Sequence, residues 1–314
     1  MISKLWGGAM IALTPIAILG LWAAAPALAA NPAHVRQLLE TKECRNCDLS
    51  EANLSGVDLQ RAKLTGANLI DADLSGADLQ YADLSGANLT LANLTGADLR
   101  FAVLEQATLY RAQASGAKLQ NANLRRATLT QGNFSDADLR QTVLTTADLS
   151  GANFQDANFS RATLIETNLR QSNLSNTNFS RSRLNQANLS MANLSNSDFA
   201  QANLSYGDLA RAVLLNTNLK QANLGGAIFR DAQMTGAVLE RANLRQAILR
   251  NANLREANLR HADLSYGDLR DANLFEANLR HANLTAVELE TLILCRAILP
   301  DGSRSDQGCR RRGE

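Results

Sequence analysis

A Leu, Phe or Met residue occupies every fifth position of this chain from Leu49 to Leu299, with Ala114 as the single exception. The series contains 51 consecutive registers without an insertion, and 43 of them are Leu. The residue two positions before the Leu is Ala in 37 registers, and Asn or Asp most often stands between the two. The fold must therefore accommodate a five-residue period over about four fifths of the chain.

Neither regular element accepts a period of five on its own. In an α-helix the Leu positions would precess by roughly 140° per repeat and cover no single face. In a continuous β-strand an odd period sends the Leu to the opposite face at every repeat. The conflict disappears if the chain turns a corner within each pentapeptide. The Leu and the small residue two positions before it then face inward, and the two residues after the Leu form the bend.

Four such bends, each of about 90°, close a square coil of 20 residues, and successive coils stack through backbone hydrogen bonds. The sequence thus predicts an all-β fold, a quadrilateral parallel β-helix of about 12 to 13 coils at ~4.8 Å per coil, or roughly 60 Å in all. The absence of proline between Pro32 and Pro300 agrees with this, because nearly every backbone N–H is expected to join a ladder.

The repeated phrase Ala-(Asp/Asn)-Leu-x-x, as in EANLSGVDLQRAKLTGANL from Glu51, resembles the pentapeptide-repeat family. The resemblance implies a right-handed β-helix with Leu or Phe at its centre. The flanking segments LLETKECRNCDLSEANLSG at 38–56 and LCRAILPDGS at 294–303 resemble exported members, which are common in cyanobacteria and occur in thylakoid lumens. Most such members have no assigned biochemical activity.

The chain divides into four segments. In residues 1–29 Lys4 precedes an apolar run and a small-x-small cleavage site, which predicts a signal peptide. The alternative is an uncleaved membrane anchor, because the apolar run is long enough to span a bilayer. Residues 31–46 are expected to form a capping helix and a Cys-x-x-Cys motif, with Asn31 as the N-cap. Residues 47–299 form the β-helix, and residues 300–314 a C-terminal cap over the last coil.

The four cysteines lie at the two ends of the array, Cys44 and Cys47 before it and Cys295 and Cys309 at its close. The ends are roughly 60 Å apart, whereas a disulfide joins Cα atoms within ~6 Å. Pairing is therefore expected within each end. A redox dithiol at Cys44 and Cys47 is the sharper alternative, although these cysteines follow a helix instead of preceding one. Zinc is disfavoured because no histidine pair completes four ligands.

Surface positions 20 residues apart are expected to stack in columns, and several columns form the candidate interaction surface. Two of them are basic, and the histidines within them are also a candidate metal or pH-sensing pair. The motif SYGDL occurs twice, sixty residues apart, which places its two tyrosines on one face. The candidate residues are Arg230, Arg250 and Arg270 in one column, Arg241, Arg260, Arg280, His261 and His281 at another edge, and Tyr206 and Tyr266.

The sequence contains no G-x-x-x-x-G-K, G-x-S-x-G or H-E-x-x-H motif and no inserted loop that could build a pocket. We therefore expect a non-catalytic protein without a cofactor, exported to the periplasm or thylakoid lumen. Its expected role is structural or protein-binding, with an unknown protein partner, and coil ends are a candidate homodimer contact. The net charge of +1 gives no reason to expect nucleic acid. No stable membrane insertion is expected after leader cleavage.

Two other classes of function stay open. In another branch of the family that this chain resembles, rods mimic DNA and bind a type II topoisomerase (gyrase). That role favours a strongly acidic cytosolic rod, and this chain departs from it in charge and in its leader. The remaining alternative is a redox- or metal-responsive protein that uses Cys44 and Cys47.

Overall fold

The computed structural model describes residues 30–309, so the predicted signal peptide and the last five residues lie outside it. An α-helix, α1, spans Pro32–Thr41. Asn31 caps this helix because its Oδ1 accepts a hydrogen bond from the Ala33 N–H at 3.0 Å. Leu38 is fully buried and belongs to the same apolar cluster as the repeat array. The helix therefore covers the N-terminal end of the core.

Beyond α1 the chain forms a solenoid. Parallel β-bridges join residues 20 apart, from Glu43 with Lys63 to Asn278 with Ile298. Each coil thus contains four pentapeptides, as the period predicts. Residues 30–309 contain isolated bridges and no regular strand, because two of every five residues belong to a turn. The extended segment between turns is too short for two successive bridges.

All five backbone N–H groups of a typical pentapeptide are bonded, but the ladder takes three of them. In residues 72–76, the Asp73 N–H donates to the preceding coil (2.9 Å), whereas those of Leu74 (2.7 Å) and Gly76 (2.9 Å) donate to the following one. The Ala72 N–H closes a turn onto the carbonyl three residues earlier (3.1 Å). The Ser75 N–H donates to the Asp73 Oδ1 at 3.0 Å. The Asn or Asp before the Leu is therefore a turn acceptor, a role that the sequence prediction missed.

The Asn side chains also connect successive coils. The Asn93 Nδ2 donates to the Asp73 Oδ1 (3.0 Å), and the Asn173 Nδ2 donates to the Asn153 Oδ1 (2.9 Å). Asn supplies a donor as well as an acceptor, whereas ionised Asp supplies acceptors alone. Stacked Asn and Asp residues can therefore bond to one another along the rod.

Each turn from Asn46 to Arg296, except the one at Thr291, has positive φ at its third residue, two positions after the core position. The angle is 62° at Gly76 and 57° at Thr146. A type II β-turn requires this conformation, and it is the reason that Gly recurs at the position. Most turns have a non-glycine residue at this position, and each such residue adopts a conformation that is sterically costly for an L-amino acid.

The core follows the inward positions of the repeat. The Leu, Phe and Met positions from Leu49 to Leu279 are at most 2% exposed, and the Ala two residues before them is similarly buried. Phe159, Phe179 and Phe199 stack along the axis with ring centroids 4.8 and 4.6 Å apart. Buried hydroxyls at the small inward positions are satisfied by nearby carbonyls, as at Thr167 (2.8 Å). The axis is thus a predominantly apolar column whose hydroxyl groups are hydrogen-bonded.

The C-terminal segment folds back along the last coil. Ile298 and Arg304 form an antiparallel bridge, and the Ser305 N–H donates to the Ala297 carbonyl at 3.0 Å. The Gln307 Nε2 donates to the Leu289 carbonyl at 2.5 Å. This return covers one side of the final coil. Another side of that coil leaves Leu289 39% exposed.

Candidate interaction surface

The turns of successive coils stack into four rows along the rod, because bridged residues are 20 apart. Each row consists of the two residues that follow the Leu. Row 1 contains residues 60/61 to 280/281, row 2 residues 45/46 to 285/286, row 3 residues 50/51 to 290/291 and row 4 residues 55/56 to 295/296. Consecutive turns in the chain belong to neighbouring rows, so row 4 precedes row 1 by five residues in every coil.

Row 3 carries the predicted column of Arg230, Arg250 and Arg270. The Arg250 Nε binds the Asp268 carboxylate, and the Arg270 Nη2 binds the same carboxylate at 2.8 Å. Asp231 lies 3.9 Å from the Arg211 guanidinium. This column is therefore partly neutralised by carboxylates on the same side of the rod.

Row 1 carries the other predicted group, and the arginines of that group have no carboxylate partner among residues 30–309. Arg241, Arg260 and Arg280 are exposed and form no ion pair within residues 30–309. The rings of His261 and His281 stack with centroids 4.8 Å apart. Glu240, the one acidic residue of this row, is held by Lys220 at 3.2 Å. The C-terminal half of row 1 is thus a basic edge, which we define as Arg161, Arg181, Arg241, Arg260, Arg280, His261 and His281.

Its surroundings favour the neutral form of His261. Partial desolvation lowers the pKa of His261, and the charges of His281, Arg241 and Arg260 lower it further, whereas Glu240 opposes them. Protonation at acidic pH would add positive charge to an edge that is already basic. The part of the chain that the structure describes contains no group of three or more His, Cys, Asp or Glu side chains arranged to hold a metal.

A shallow groove of about 530 Å³ lies in the middle of row 1. Its floor consists of the small side chains of Ser160, Ser180 and Ala200, and Arg161 and Arg181 stand beside it. The Arg181 Nε donates to a glutamine at 3.1 Å, whereas Arg161 has no ion pair among the described residues. The sequence prediction missed this groove, although three small residues spaced by 20 at one turn position are a detectable signal.

The two tyrosines of the SYGDL motifs lie in row 2, three coils apart. Tyr206 is 66% exposed and its ring covers Gly226, where an added Cβ would lie 2.6 Å from the ring. Tyr266 is 55% exposed, and the Arg245 guanidinium lies 5.5 Å from its ring centroid. They share a side of the rod without touching each other and stay separate from the basic edge.

The cysteines lie at the two ends, where Cys44, Cys47 and Cys295 are buried and Cys309 is partly exposed. The sulfur atoms of Cys44 and Cys47 lie 2.05 Å apart, and those of Cys295 and Cys309 lie 2.03 Å apart. Cys44 is 0% and Cys47 3% exposed. A buried, bonded pair offers no accessible thiolate for redox exchange.

The family models decide the identity of the array. A model described as pentapeptide repeats matches residues 43–80, 72–109, 109–145, 212–251 and 252–290, and a model described as a pentapeptide repeat region matches residues 152–227. Together they cover more than half of the chain. The chain belongs to the pentapeptide-repeat family.

Several solved pentapeptide-repeat structures are similar to this chain. HetL, involved in heterocyst differentiation regulation in the cyanobacterium Nostoc sp. strain PCC 7120, is 28% identical over 86% of this chain and 97% of its own, with a TM-score of 0.34. AT2G44920 from the Arabidopsis thaliana thylakoid lumen is 35% identical over 29% of this chain and 64% of its own, with a TM-score of 0.29. QnrB1, a plasmid-mediated fluoroquinolone resistance protein, is 20% identical over 76% of this chain and 91% of its own, with a TM-score of 0.18. No curated protein sequence matches this chain.

Membership of the pentapeptide-repeat family implies a right-handed β-helix solenoid and indicates a non-catalytic repeat protein. No helix in residues 30–309 combines the length and apolar character needed to cross a bilayer.

Proposed function

We propose that this pentapeptide-repeat protein is an exported, non-catalytic rod that binds a protein partner through the basic edge of row 1. The rod would be a square β-helix of about 12 to 13 coils. We further propose that residues 1–29 are a cleaved signal peptide directing it to the periplasm or thylakoid lumen, without stable membrane insertion afterwards and without a nucleic-acid partner. This combines the leader motif with an array that no insertion interrupts.

The observation that carries the proposal is the difference between the two predicted arginine columns, which lie near the C-terminal ends of rows 3 and 1. In row 3, Arg250 and Arg270 share the Asp268 carboxylate. In row 1, Arg260 and Arg280 stand without one in the described chain. Stacked like charges repel one another, so an unpaired column lowers stability slightly. A partner with carboxylates would remove that repulsion and gain charge-assisted hydrogen bonds from the arginines.

A pull-down from the exported compartment tests the proposal. The bait is the wild-type protein, a row 1 variant with Arg241, Arg260 and Arg280 changed to Gln, or a matched row 3 variant with Arg230, Arg250 and Arg270 changed to Gln. We expect a protein, identified by mass spectrometry, that is retained by the wild type and the row 3 variant and lost by the row 1 variant. Equal loss from both variants would reject the assignment to row 1. N-terminal sequencing of the exported protein tests leader cleavage, which should leave Ala30 or Asn31 first.

The alternatives have less support. A DNA-mimicking topoisomerase ligand favours an acidic surface, whereas row 1 carries exposed cations along much of its length. A redox role requires an accessible thiol, whereas Cys44 and Cys47 are buried at bonding distance. Soluble binding of the topoisomerase to the mature rod, or free thiols at Cys44 and Cys47 in exported protein, would reinstate the corresponding alternative.

A further inference from the structure

Rows 4 and 1 are complementary to each other in three groups of coils, near the N-terminal end, in the middle and near the C-terminal end of the rod. We propose that two copies of this chain pack side by side, in parallel and in register, with row 4 of each copy against row 1 of the other. The inference rests on the proposed role as a protein-binding rod and identifies a second copy of this chain as one such partner.

In the N-terminal coils, exposed aromatic rings of row 1 accompany bare glycines of row 4. Tyr81 and Phe101 are 51% and 43% exposed, and their rings stack with centroids 5.0 Å apart at an interplanar angle of 5°. In the same coils row 4 presents Gly76 and Gly96, and nothing lies within 4 Å of an added Cβ at either. The stacked rings of row 1 are thus matched by glycines of row 4 that have the same 20-residue spacing and no side chain above them. Burial of such rings is the largest apolar contribution that this surface offers.

In the middle coils the same rows carry opposite charges. Row 4 presents Asp136 and Asp156, which are exposed and form no ion pair within residues 30–309. In the next turn of each coil, four residues after Asp136 and five after Asp156, row 1 presents Arg140 and Arg161, which line the groove described above. Arg140 binds Asp138 of its own coil at 2.7 Å, so Arg161 is the arginine with its hydrogen-bonding capacity open.

The pattern returns in the last coils. Row 4 presents Glu256 and Glu276 where row 1 of the same coil presents Arg260 with His261 and Arg280 with His281. Within the chain these glutamates contact Arg255 (3.9 Å) and Arg296 (3.0 Å), both of row 4. Among residues 30–309 no ion pair joins row 4 to row 1, although the two rows are neighbours. Arg260 and Arg280 are therefore available to a second molecule, whose row 4 glutamates would share their carboxylates between these arginines and their own row.

The symmetry of this match selects one arrangement. A two-fold axis parallel to the rods places row 1 of one copy over row 4 of the other at the same coil, and the reverse at the other edge of the contact. This is the self-complementary interface of a two-fold dimer. An antiparallel arrangement would pair different coils and would set aromatic rings against charged turns. Because both rods share the ~4.8 Å coil spacing, every level stays in register along the contact.

The expected interface is modest. A rod roughly 60 Å long, with a side of about three extended residues or ~10 Å, offers on the order of 600 Å² per copy. The total of about 1,200 Å² lies at the lower limit for specific interfaces. We therefore expect a reversible dimer that dissociates on dilution and at high salt, because its charge pairs are exposed to screening.

Sedimentation-equilibrium measurements on the purified protein test the proposal. Arg161→Asp replaces two symmetry-related attractive pairs with two repulsive ones and should weaken the dimer at least ten-fold. Adding Asp156→Arg to that variant restores opposite charges across the interface and should recover the wild-type dissociation constant. Arg126→Asp is the matched control, because Arg126 occupies the same turn position, is exposed and lies in row 2. It should leave the dimer unchanged. Circular dichroism should show the wild-type fold for every variant.

A second test uses the aromatic pair. Tyr81→Ser combined with Phe101→Ser should also weaken the dimer at least ten-fold, without a change in its salt dependence. A monomer at every soluble concentration would overturn the proposal. A dimer that Arg161→Asp leaves intact would also overturn it, and would indicate another interface, such as an end-to-end contact through the last coil. Either result leaves the pull-down partner of row 1 unaffected, so failure of this inference is distinguishable from failure of the proposed function.

Discussion

Thr146 is the most informative single position for testing the turn geometry. Among the non-glycine residues with positive φ in residues 30–309, it is the one that is β-branched, with φ of 57°. A left-handed conformation costs an L-residue roughly 1–2 kcal/mol. Glycine avoids that cost, although its greater freedom in the unfolded chain returns about 0.5–1 kcal/mol. We therefore expect Thr146→Gly to stabilise the protein by about 0.5–1 kcal/mol.

Two matched variants separate this effect from a general effect of glycine. Gly76 occupies the equivalent position with φ of 62°, and no atom lies within 4 Å of an added Cβ. Gly76→Thr should therefore destabilise by about 0.5–1 kcal/mol through backbone strain alone. Thr95 occupies the preceding turn position, which has no positive φ. Thr95→Gly should destabilise by a similar amount, because it gains no relief of strain and loses chain stiffness.

Guanidinium unfolding measures all three changes, with the midpoint shift interpreted at constant slope. The expected signs are stabilising for Thr146→Gly and destabilising for the other two variants. A Thr146→Gly protein that is less stable than the wild type would refute the assignment of strain to this turn position. A changed slope would instead indicate that the array unfolds in segments, which is common for repeat proteins.

Five further substitutions test other parts of the fold. Thr145→Pro should be neutral or stabilising by up to about 1 kcal/mol in thermal unfolding, because its N–H is outside the ladder, whereas Val143→Pro removes a ladder donor and should cost about 3 kcal/mol or more. Leu74→Asp places a carboxylate on the apolar axis and should abolish cooperative unfolding in circular dichroism. Cys309→Ala opens a loop that spans 14 residues and should cost about 3 kcal/mol and expose the C-terminal return to protease. Hydrogen bonds from the Ser75 side chain and N–H lower the pKa of Asp73 below its unfolded value. The stability that these hydrogen bonds contribute is therefore fully present above the unfolded pKa and is lost as pH falls through the folded pKa. Asp73→Asn should reduce this loss, as measured by urea unfolding at neutral and acidic pH.

The period of five was sufficient to predict the inward positions and the 20-residue coil. The regular Leu and Ala positions leave no choice of which residues face inward, because a register that exposed one Leu to solvent would expose the Leu of every coil. The ends were also predictable in outline, since Cys44 and Cys47 are too far from Cys295 and Cys309 for any cross-pairing. These conclusions depend on residue type and spacing alone, and both are visible in a sequence.

The role of the Asn and Asp residues was not predictable in the same way. An Asx residue before the Leu points outward whether or not its Oδ1 accepts the N–H two residues later. The choice depends on the turn type, which positive φ at residues such as Gln131 and Arg161 settles. The ion pairs were equally hidden, because Asp231 and Asp271 directly follow the arginines in the chain, whereas the carboxylate that Arg250 and Arg270 contact is Asp268. Rotamers decide which carboxylate an arginine reaches.

The five positions of the repeat therefore differ in how far they can vary. The Leu and the small residue fix the core, and the Asx residue satisfies the turn N–H. The two turn residues are constrained in backbone conformation but hardly in side chain, as Tyr81, Arg161 and His261 share one row. The positions themselves recur along the rod at the ~4.8 Å coil spacing, so a surface built from them has a periodic backbone whatever side chains it carries. A partner that matches it over several coils must carry the same period, and a second pentapeptide-repeat rod does so without any adjustment of its backbone.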